Sequence, residues 1–219
     1  MAKEILDQTQ KKFLDLFKSQ KDLVNVFYLT GGTALANYYL SHRYSDDLDF
    51  FTTKENFDWN LVFEFMAKAK KDLLAKDLIH NKLFDRRIFY LKFKNDYELK
   101  VEFTLYPFQQ IEKPKKINGI LVDSFIDLAA NKLFCIVERN EIKDYADLYF
   151  ILKKLSIDKI RKGVLKKFEL EIENISLGSR IINVEDFKTM PRMIKKLTLR
   201  QLKNFFLEEG TKFRTQILK

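Results

Sequence analysis

Asp47 and Asp49 stand two residues apart in Ser45-Asp46-Asp47-Leu48-Asp49-Phe50-Phe51, and a Gly31-Gly32-Thr33 turn precedes them. In an extended chain alternate side chains share a face, so both carboxylates point one way while Leu48 and Phe50 point into a core. Carboxylates held side by side repel, and a divalent cation is the usual reason to keep them together. The two glycines let the backbone turn sharply and approach a ligand closely. A helix predicted over 33–40 then presents free backbone N–H groups at its N-terminus, a place that suits a phosphate. Metal ligands on one side and a phosphate cradle on the other point to metal-assisted nucleotide chemistry.

A third carboxylate falls on Glu102 in Leu99-Lys100-Val101-Glu102-Phe103. Leu99, Val101, Phe103 and Leu105 share one face of that predicted strand, and Lys100, Glu102 and Thr104 share the other. The expectation is that this strand and the Asp47–Asp49 strand are neighbours in one mixed sheet, so that three carboxylates converge on one metal site. Mg²⁺ (or Mn²⁺) takes hard oxygen ligands, one or two carboxylates together with substrate phosphates. With two such ions, one polarises an attacking hydroxyl and the other steadies the α-phosphate and the departing pyrophosphate. Asp47 and Asp49 would share the metals, with Glu102 by the attacking hydroxyl as ligand or base. Thr33 and the Gly32 and Thr33 amides would hold the phosphates of an NTP.

Gly31-Gly32-Thr33-Ala34-Leu35, followed by Arg43-x-Ser45-x-Asp47-Leu48-Asp49-Phe50-Phe51, resembles the AbiEii/AbiGii toxin family, within the polymerase-beta-like nucleotidyltransferase superfamily. The similarity continues through Glu102, then Asp127-Leu128-Ala129-Ala130-Asn131-Lys132-Leu133 and Lys143-Asp144-Tyr145-Ala146-Asp147-Leu148, covering about Tyr28 to Leu152 in the right order. Two positions depart from the pattern: Glu102 where Asp is commoner, and Lys143 where Arg is frequent. The resemblance implies transfer of NMP from an NTP to an acceptor hydroxyl, with RNA such as the 3′ end of tRNA as acceptor. It also implies a role as the toxin of a type IV toxin–antitoxin (abortive infection) system, with a cognate antitoxin as partner. It assigns Gly31, Gly32, Thr33, Arg43, Ser45, Lys132, Asp144 and Asp147 to nucleotide binding. For Lys132 the plainer alternative is a lysine snorkelling from an apolar helix face; for Asp144 and Asp147 it is a helix-dipole partner. Arg43 either braces the carboxylate strand or contacts phosphate. Tyr145 and Tyr149, four apart, either stack a base or fill the core.

These groups must be positioned by an α/β (α+β) frame: a nucleotidyltransferase-type mixed sheet flanked by helices over residues 1–120, then a mostly helical part over 121–219. The apolar pattern predicts helices at 5–17, 59–74, 125–138, 143–154, 157–174 and 198–208, with a turn at 176–179. Strands are predicted at 22–30, 46–52, 86–94, 97–106 and 119–122, the middle pair joined by a two-residue turn at Asn95-Asp96.

The chain has 219 residues, enough for a sizeable core, and is 46% hydrophobic and 32% charged, as a soluble globular protein is. No apolar run approaches the roughly 18 residues a membrane span needs. No signal-peptide pattern opens the chain. Cys135 is the one cysteine, which rules out an intrachain disulfide and points to the cytoplasm. The two histidines, His42 and His80, have no Cys or His company to form a zinc site. The 21 phenylalanines read as core filling.

Residues 1–152 carry 23 Lys and Arg against 23 Asp and Glu, whereas 153–219 carry 17 against 8. A basic C-terminal third suits a polyanionic acceptor, with Lys162, Lys166, Lys167, Lys195, Lys196 and Arg200 as contacts turned toward the carboxylates. Lys195, Lys196 and Arg200 are expected to share a helix. The rival readings are a nucleotidyltransferase acting on a small molecule or a protein, and a catalytically silent nucleotide- or RNA-binding module.

Overall fold

Seven strands form one mixed sheet: β1 (Tyr28–Thr30), β2 (Leu48–Thr52), β3 (Asp77–Leu83), β4 (Arg86–Lys92), β5 (Glu98–Leu105), β6 (Lys115–Ile117) and β7 (Ile120–Val122), in the order β3-β4-β5-β2-β1-β7-β6. The structure is a computed structural model that describes residues 4–94 and 96–217. β2 and β5 are parallel neighbours, with Asp49 opposite Glu102 and Phe50 opposite Phe103. β1 runs antiparallel to β2 and parallel to β7. This is the mixed α/β architecture the sequence predicts.

Side-chain alternation divides the two faces of this sheet. On one face Phe50 and Phe103 stack with ring centroids 5.0 Å apart. Helices cover that face: α1 (Gln8–Lys18), the short α2 (Lys21–Val24) and α4 (Asn60–Asp72), with α3 (Gly31–Leu35) following β1. Phe17 of α1 lies 4.3 Å from Phe50, and Phe65 of α4 packs edge-on against Phe13 at 5.3 Å. All of these rings are buried, and each contributes about 1.5–3 kcal/mol of burial free energy. The apolar residues of β2 and β5 are thereby held inward, and the opposite parity, Asp49 and Glu102, is turned to the other face.

The register of β4 against β5 departs from the expected two-residue turn. Asn95 lies outside the described residues, but Lys92 pairs with Glu98 and the Phe93 N–H donates to the Tyr97 carbonyl. Three positions thus separate the closing pair, and Asp96 adopts a left-handed φ of 57°, as three-residue hairpin loops commonly require. A one-residue slip flips every side chain to the other face. The longer loop is what places Ile88 opposite Glu102 and Arg86 opposite Thr104.

Other expectations are corrected. The predicted strand 22–30 is a helical turn at Lys21–Val24 followed by a strand of only three residues, because Gln20 opens a turn that Val24 closes. The helix expected from 33 begins at Gly31 and passes into a π-helical stretch, Ala36–Leu40. β3 and β6 were not predicted, since their side chains are mostly exposed and show no apolar alternation.

The chain divides into two compact units: Met1–Asn37, Ser45–Phe108 and Lys113–Ser124 in the first, and Tyr38–Tyr44, Gln109–Glu112 and Phe125–Lys219 in the second. The second unit holds α5 (Phe125–Glu138), α6 (Ile142–Ile151), α7 (Ile157–Phe168), α8 (Asn174–Ile182) and α9 (Leu199–Ile217). The turn expected at 176–179 lies inside α8, where Leu177 and Ile181 are buried one helical turn apart. Segment 42–44 is tied to 192–195 by backbone hydrogen bonds, including Tyr44 N–H to the Arg192 carbonyl at 2.9 Å. Among the described residues no helix is long and apolar enough to cross a membrane.

Candidate active site

The carboxylate site sits in the first unit, on the sheet face opposite the stacked phenylalanines. Asp49 and Glu102 are cross-strand partners, and Asp47 precedes Asp49 by two residues in the loop that enters β2. Buried groups hold that loop. The Gln10 side-chain amide donates to the carbonyls of Ser45 and Asp46 at 2.9 and 3.0 Å, and the buried Thr33 hydroxyl donates to the Asp47 carbonyl. Gly31 has a φ of 70°, and a Cβ built on it would collide with the Asp49 carboxylate. Glycine is therefore demanded here twice over, by conformation and by the close approach of Asp49.

Cations share the row with the carboxylates. The Lys100 ammonium lies 3.2 Å from Asp47. Arg86 grips Glu102 with two hydrogen bonds of 2.6 Å, and the Thr104 hydroxyl adds a third at 2.7 Å. Burial pushes the Glu102 carboxyl up, but these hydrogen bonds and the charges of Arg86 and Lys100 outweigh it and hold the group below its ordinary value. Burial likewise works against the charge on Lys100, yet Asp47, Asp49 and Glu102 together raise it. Asp47, with its side chain 38% exposed, and the half-buried Asp49 offer hard oxygens on one face. That donor set fits a Mg²⁺ ion that takes two protein carboxylates and completes its shell with phosphate and water. Both oxygens of Glu102 are engaged by Arg86, and among the described residues no three His, Cys, Asp or Glu side chains form a ready cage.

Asp147 of α6 lies in the second unit, wholly buried, and is the centre of a second constellation. Arg43 approaches it side-on, Nε at 2.6 Å and a terminal nitrogen at 2.8 Å. Lys132 of α5 bridges Asp147 at 2.8 Å and Asp144 at 2.7 Å, and Arg139 adds a contact to Asp144 at 3.0 Å. Burial pushes the Asp147 carboxyl up, but the charges of Lys132 and Arg43 and the bonds from Arg43 and His42 take it well below its ordinary value. His42 Nε2 is 2.6 Å from Asp147, while its buried Nδ1 has no partner. The tautomer that fits donates from Nε2, and a second proton on Nδ1 would find no acceptor. Burial is accordingly the largest influence on His42 and lowers it.

The structure thus brings Asp47, Asp49, Glu102, Gly31 and Thr33 together in one unit, and Arg43, Lys132, Asp144 and Asp147 in the other. Arg43 braces α6 rather than the carboxylate strand, because Asp147 takes its fork bidentately. Lys132 does not snorkel outward. Its ammonium stays inside, neutralised by two aspartates. Lys167, expected among the RNA contacts, is buried against Asp127 at 2.8 Å. Lys195 and Lys196 lie in irregular chain ahead of α9, so they do not share a helix with Arg200. Tyr145 is core, with its hydroxyl bonded to the Arg180 carbonyl. Arg86 and His42 were missed. Lys100 and Thr104 were legible by alternation with Glu102, but Arg86 enters the row only through the hairpin register.

The family described as "Nucleotidyl transferase AbiEii toxin, Type IV TA system" matches residues 14–214. The chain belongs to that family. As an AbiEii protein it is a nucleotidyltransferase, and the family is one of toxins in type IV toxin–antitoxin systems. An uncharacterized protein of Aquifex aeolicus (strain VF5) is 36% identical over 151 residues, covering 67% of this chain and 68% of that one. The crystal structure of a putative nucleotidyltransferase from H. pylori superposes with a TM-score of 0.54 at 18% identity, over 96% of this chain and 97% of that one, and so shares the fold.

Proposed function

We propose that this AbiEii protein transfers NMP from an NTP to a terminal hydroxyl of RNA, with Mg²⁺ held at Asp47 and Asp49. The observation that carries this reading is the register of β2 and β5, which sets Glu102 beside Asp49 on the sheet face opposite the phenylalanine core. Bound there, the ion supplies Lewis-acid stabilisation of the charge that develops on the α-phosphate and on the departing pyrophosphate. The acceptor oxygen bonds to the α-phosphorus, the α–β phosphoanhydride bond breaks, and pyrophosphate leaves with the electron pair. Glu102, kept ionised by Arg86 and Thr104, is the neighbouring carboxylate to receive the hydroxyl proton. Gly31 keeps the backbone close to Asp49, and Thr33 and Gln10 fix the loop that aims Asp47.

An RNA acceptor is favoured by charge: Lys162, Lys166, Lys195, Lys196 and Arg200 are all exposed in a C-terminal third with 17 Lys and Arg against 8 Asp and Glu. Toxin–antitoxin membership points to a cognate antitoxin as partner and to the cytoplasm as the place of action. The test is to incubate the protein with each labelled NTP, Mg²⁺ and total RNA. Label in RNA that disappears with Asp49→Asn supports the reading. Label in a small molecule or in protein overturns the acceptor, and nucleotide binding without transfer overturns the enzymatic role of the row.

A further inference from the structure

The face that bears the carboxylates continues sideways from β2 through β5 and β4 to the edge strand β3. One row runs Asp49, Glu102, Ile88, Asn81. The row beside it starts from Asp47 and its partner Lys100 and continues through Tyr90 to Ile79. Tyr90 therefore sits two strand spacings, about 10 Å, from β2. That is the length scale of one nucleotide. It also lies on the side of β2 away from β1 and Gly31, where the NTP phosphates are assigned, so this flank is left for the acceptor.

Tyr90 is unlike the other tyrosines. Tyr28, Tyr39, Tyr106, Tyr145 and Tyr149 make ring contacts, Tyr44 meets Arg192, Tyr97 bonds Asp7, and Tyr38 is also engaged. The Tyr90 side chain has no ring contact and no hydrogen bond among the described residues, and it is only half-buried. Its surroundings are apolar on one side, where Ile79 is 40% exposed, and cationic on the other, where Lys100 is its cross-strand partner. An aromatic face between an apolar neighbour and a cation is what an unpaired base and its phosphate require.

We propose that Tyr90, flanked by Ile79 and Lys100, is the stacking platform for the unpaired terminal base of a single-stranded RNA acceptor, whose hydroxyl then lies over the carboxylate row. This rests on the RNA-acceptor reading above and deepens it: the substrate class is a single-stranded 3′ end, not a blunt duplex, whose terminal base is already stacked and paired. Stacking tolerates any base, so the platform sets the strandedness of the acceptor rather than its sequence.

The test uses the full chain, a labelled short single-stranded RNA with a free 3′-hydroxyl, and the same 3′ end closed in a blunt duplex. Tyr90→Leu should weaken single-strand binding on the order of ten-fold and raise KM for RNA, with kcat and NTP affinity unchanged. Tyr90→Phe should bind as wild type. Tyr90→Trp should bind at least as tightly and lose tryptophan fluorescence when RNA is added, over the constant background of Trp59, a signature that a merely structural residue does not give. If wild type transfers NMP to RNA but Tyr90→Leu binds RNA as well as wild type, or the duplex binds as well as the single strand, the platform is wrong and the RNA reading stands. If Tyr90→Leu does not fold, an unquenched Tyr90→Trp overturns the platform by itself. If wild type labels no RNA at all, the acceptor reading falls and the platform falls with it.

Discussion

Two sets of aspartates face basic side chains in this protein, and their surroundings set them apart. In the first unit Asp47 and Lys100 meet with side chains 38% and 27% exposed. In the second, Asp147 and Lys132 meet at 0% and 7%. Where solvent reaches, an ammonium is held loosely, because screening reduces such a pair to about 0–1 kcal/mol; phosphate or a metal ion can take its place. Where solvent is excluded, removing one partner leaves a buried uncompensated charge, and the cluster stays closed. Similar residue types thus form an exchangeable pair in one unit and a permanent clamp in the other.

The largest effect expected from this contrast is on turnover. Asp49→Asn should lower NMP transfer by about a thousand-fold, the order of a lost metal ligand, while stability measured by urea unfolding moves by less than about 0.5 kcal/mol. An active Asp49→Asn would place the chemistry elsewhere. Next in size is the clamp. Asp147→Asn should cost about 3–5 kcal/mol of stability because Arg43 and Lys132 lose their shared counter-charge. A variant with unchanged unfolding and lost NTP affinity would show instead that Asp147 acts on the nucleotide.

The two sets should also part company with pH. The unfolded chain protonates His42 near its ordinary value of 6.5, while the folded imidazole resists because burial lowers it. The unfolded state then binds more protons, so stability falls as pH drops below 6.5, with a limiting slope of about 1.4 kcal/mol per pH unit. Glu102 and Asp147, both lowered, add their losses only as pH falls below their ordinary values of 4.5 and 3.8. Thermal melts between pH 5 and pH 7, roughly the range in which an unperturbed histidine titrates, should therefore show a decline that His42→Gln reduces, the remainder belonging to the more exposed His80, which burial also lowers. An unchanged decline would assign the step to another group.

The smallest effect is expected at Arg86, whose side chain is 43% exposed. Arg86→Gln should lower stability by about 1–2 kcal/mol, because the Glu102 side chain, only 5% exposed, loses its charge partner. It should also raise the Glu102 carboxyl, since burial then works against fewer hydrogen bonds. An NMR titration of that carboxyl that does not move would mean Arg86 is not what keeps it ionised.

The contrast between the two sets was only half legible beforehand. Asp47, Asp49 and Glu102 were read correctly as residues of one face because alternation is local: Leu48, Phe50, Val101 and Phe103 announce which parity goes inward. The buried clamp was not legible, since Arg43 and Asp147 are 104 residues apart and a lysine on an apolar helix face looks the same whether it snorkels or is neutralised inside. β3 escaped because Asp77-Leu78-Ile79-His80-Asn81-Lys82-Leu83 has no buried side to impose a period. α8 was mistaken for a turn because Ser176, Gly178 and Ser179 are weak helix formers, and only packing of Leu177 and Ile181 overrides that preference.

By itself the sequence determined the carboxylate strands, the demand for glycine ahead of them, the family, and the mixed sheet followed by helices. These rest on short-range periodicity and on residue types that few chemistries need together. Tertiary structure alone decided which cation sits on which carboxylate. Arg86 reaches Glu102 because the 93–97 closure shifts the hairpin register by one residue, and Lys132 is interior because Asp144 and Asp147 converge on it from α6. A Coulomb partner is chosen by distance in space and by the solvent around it, and neither is written in the order of residues along the chain.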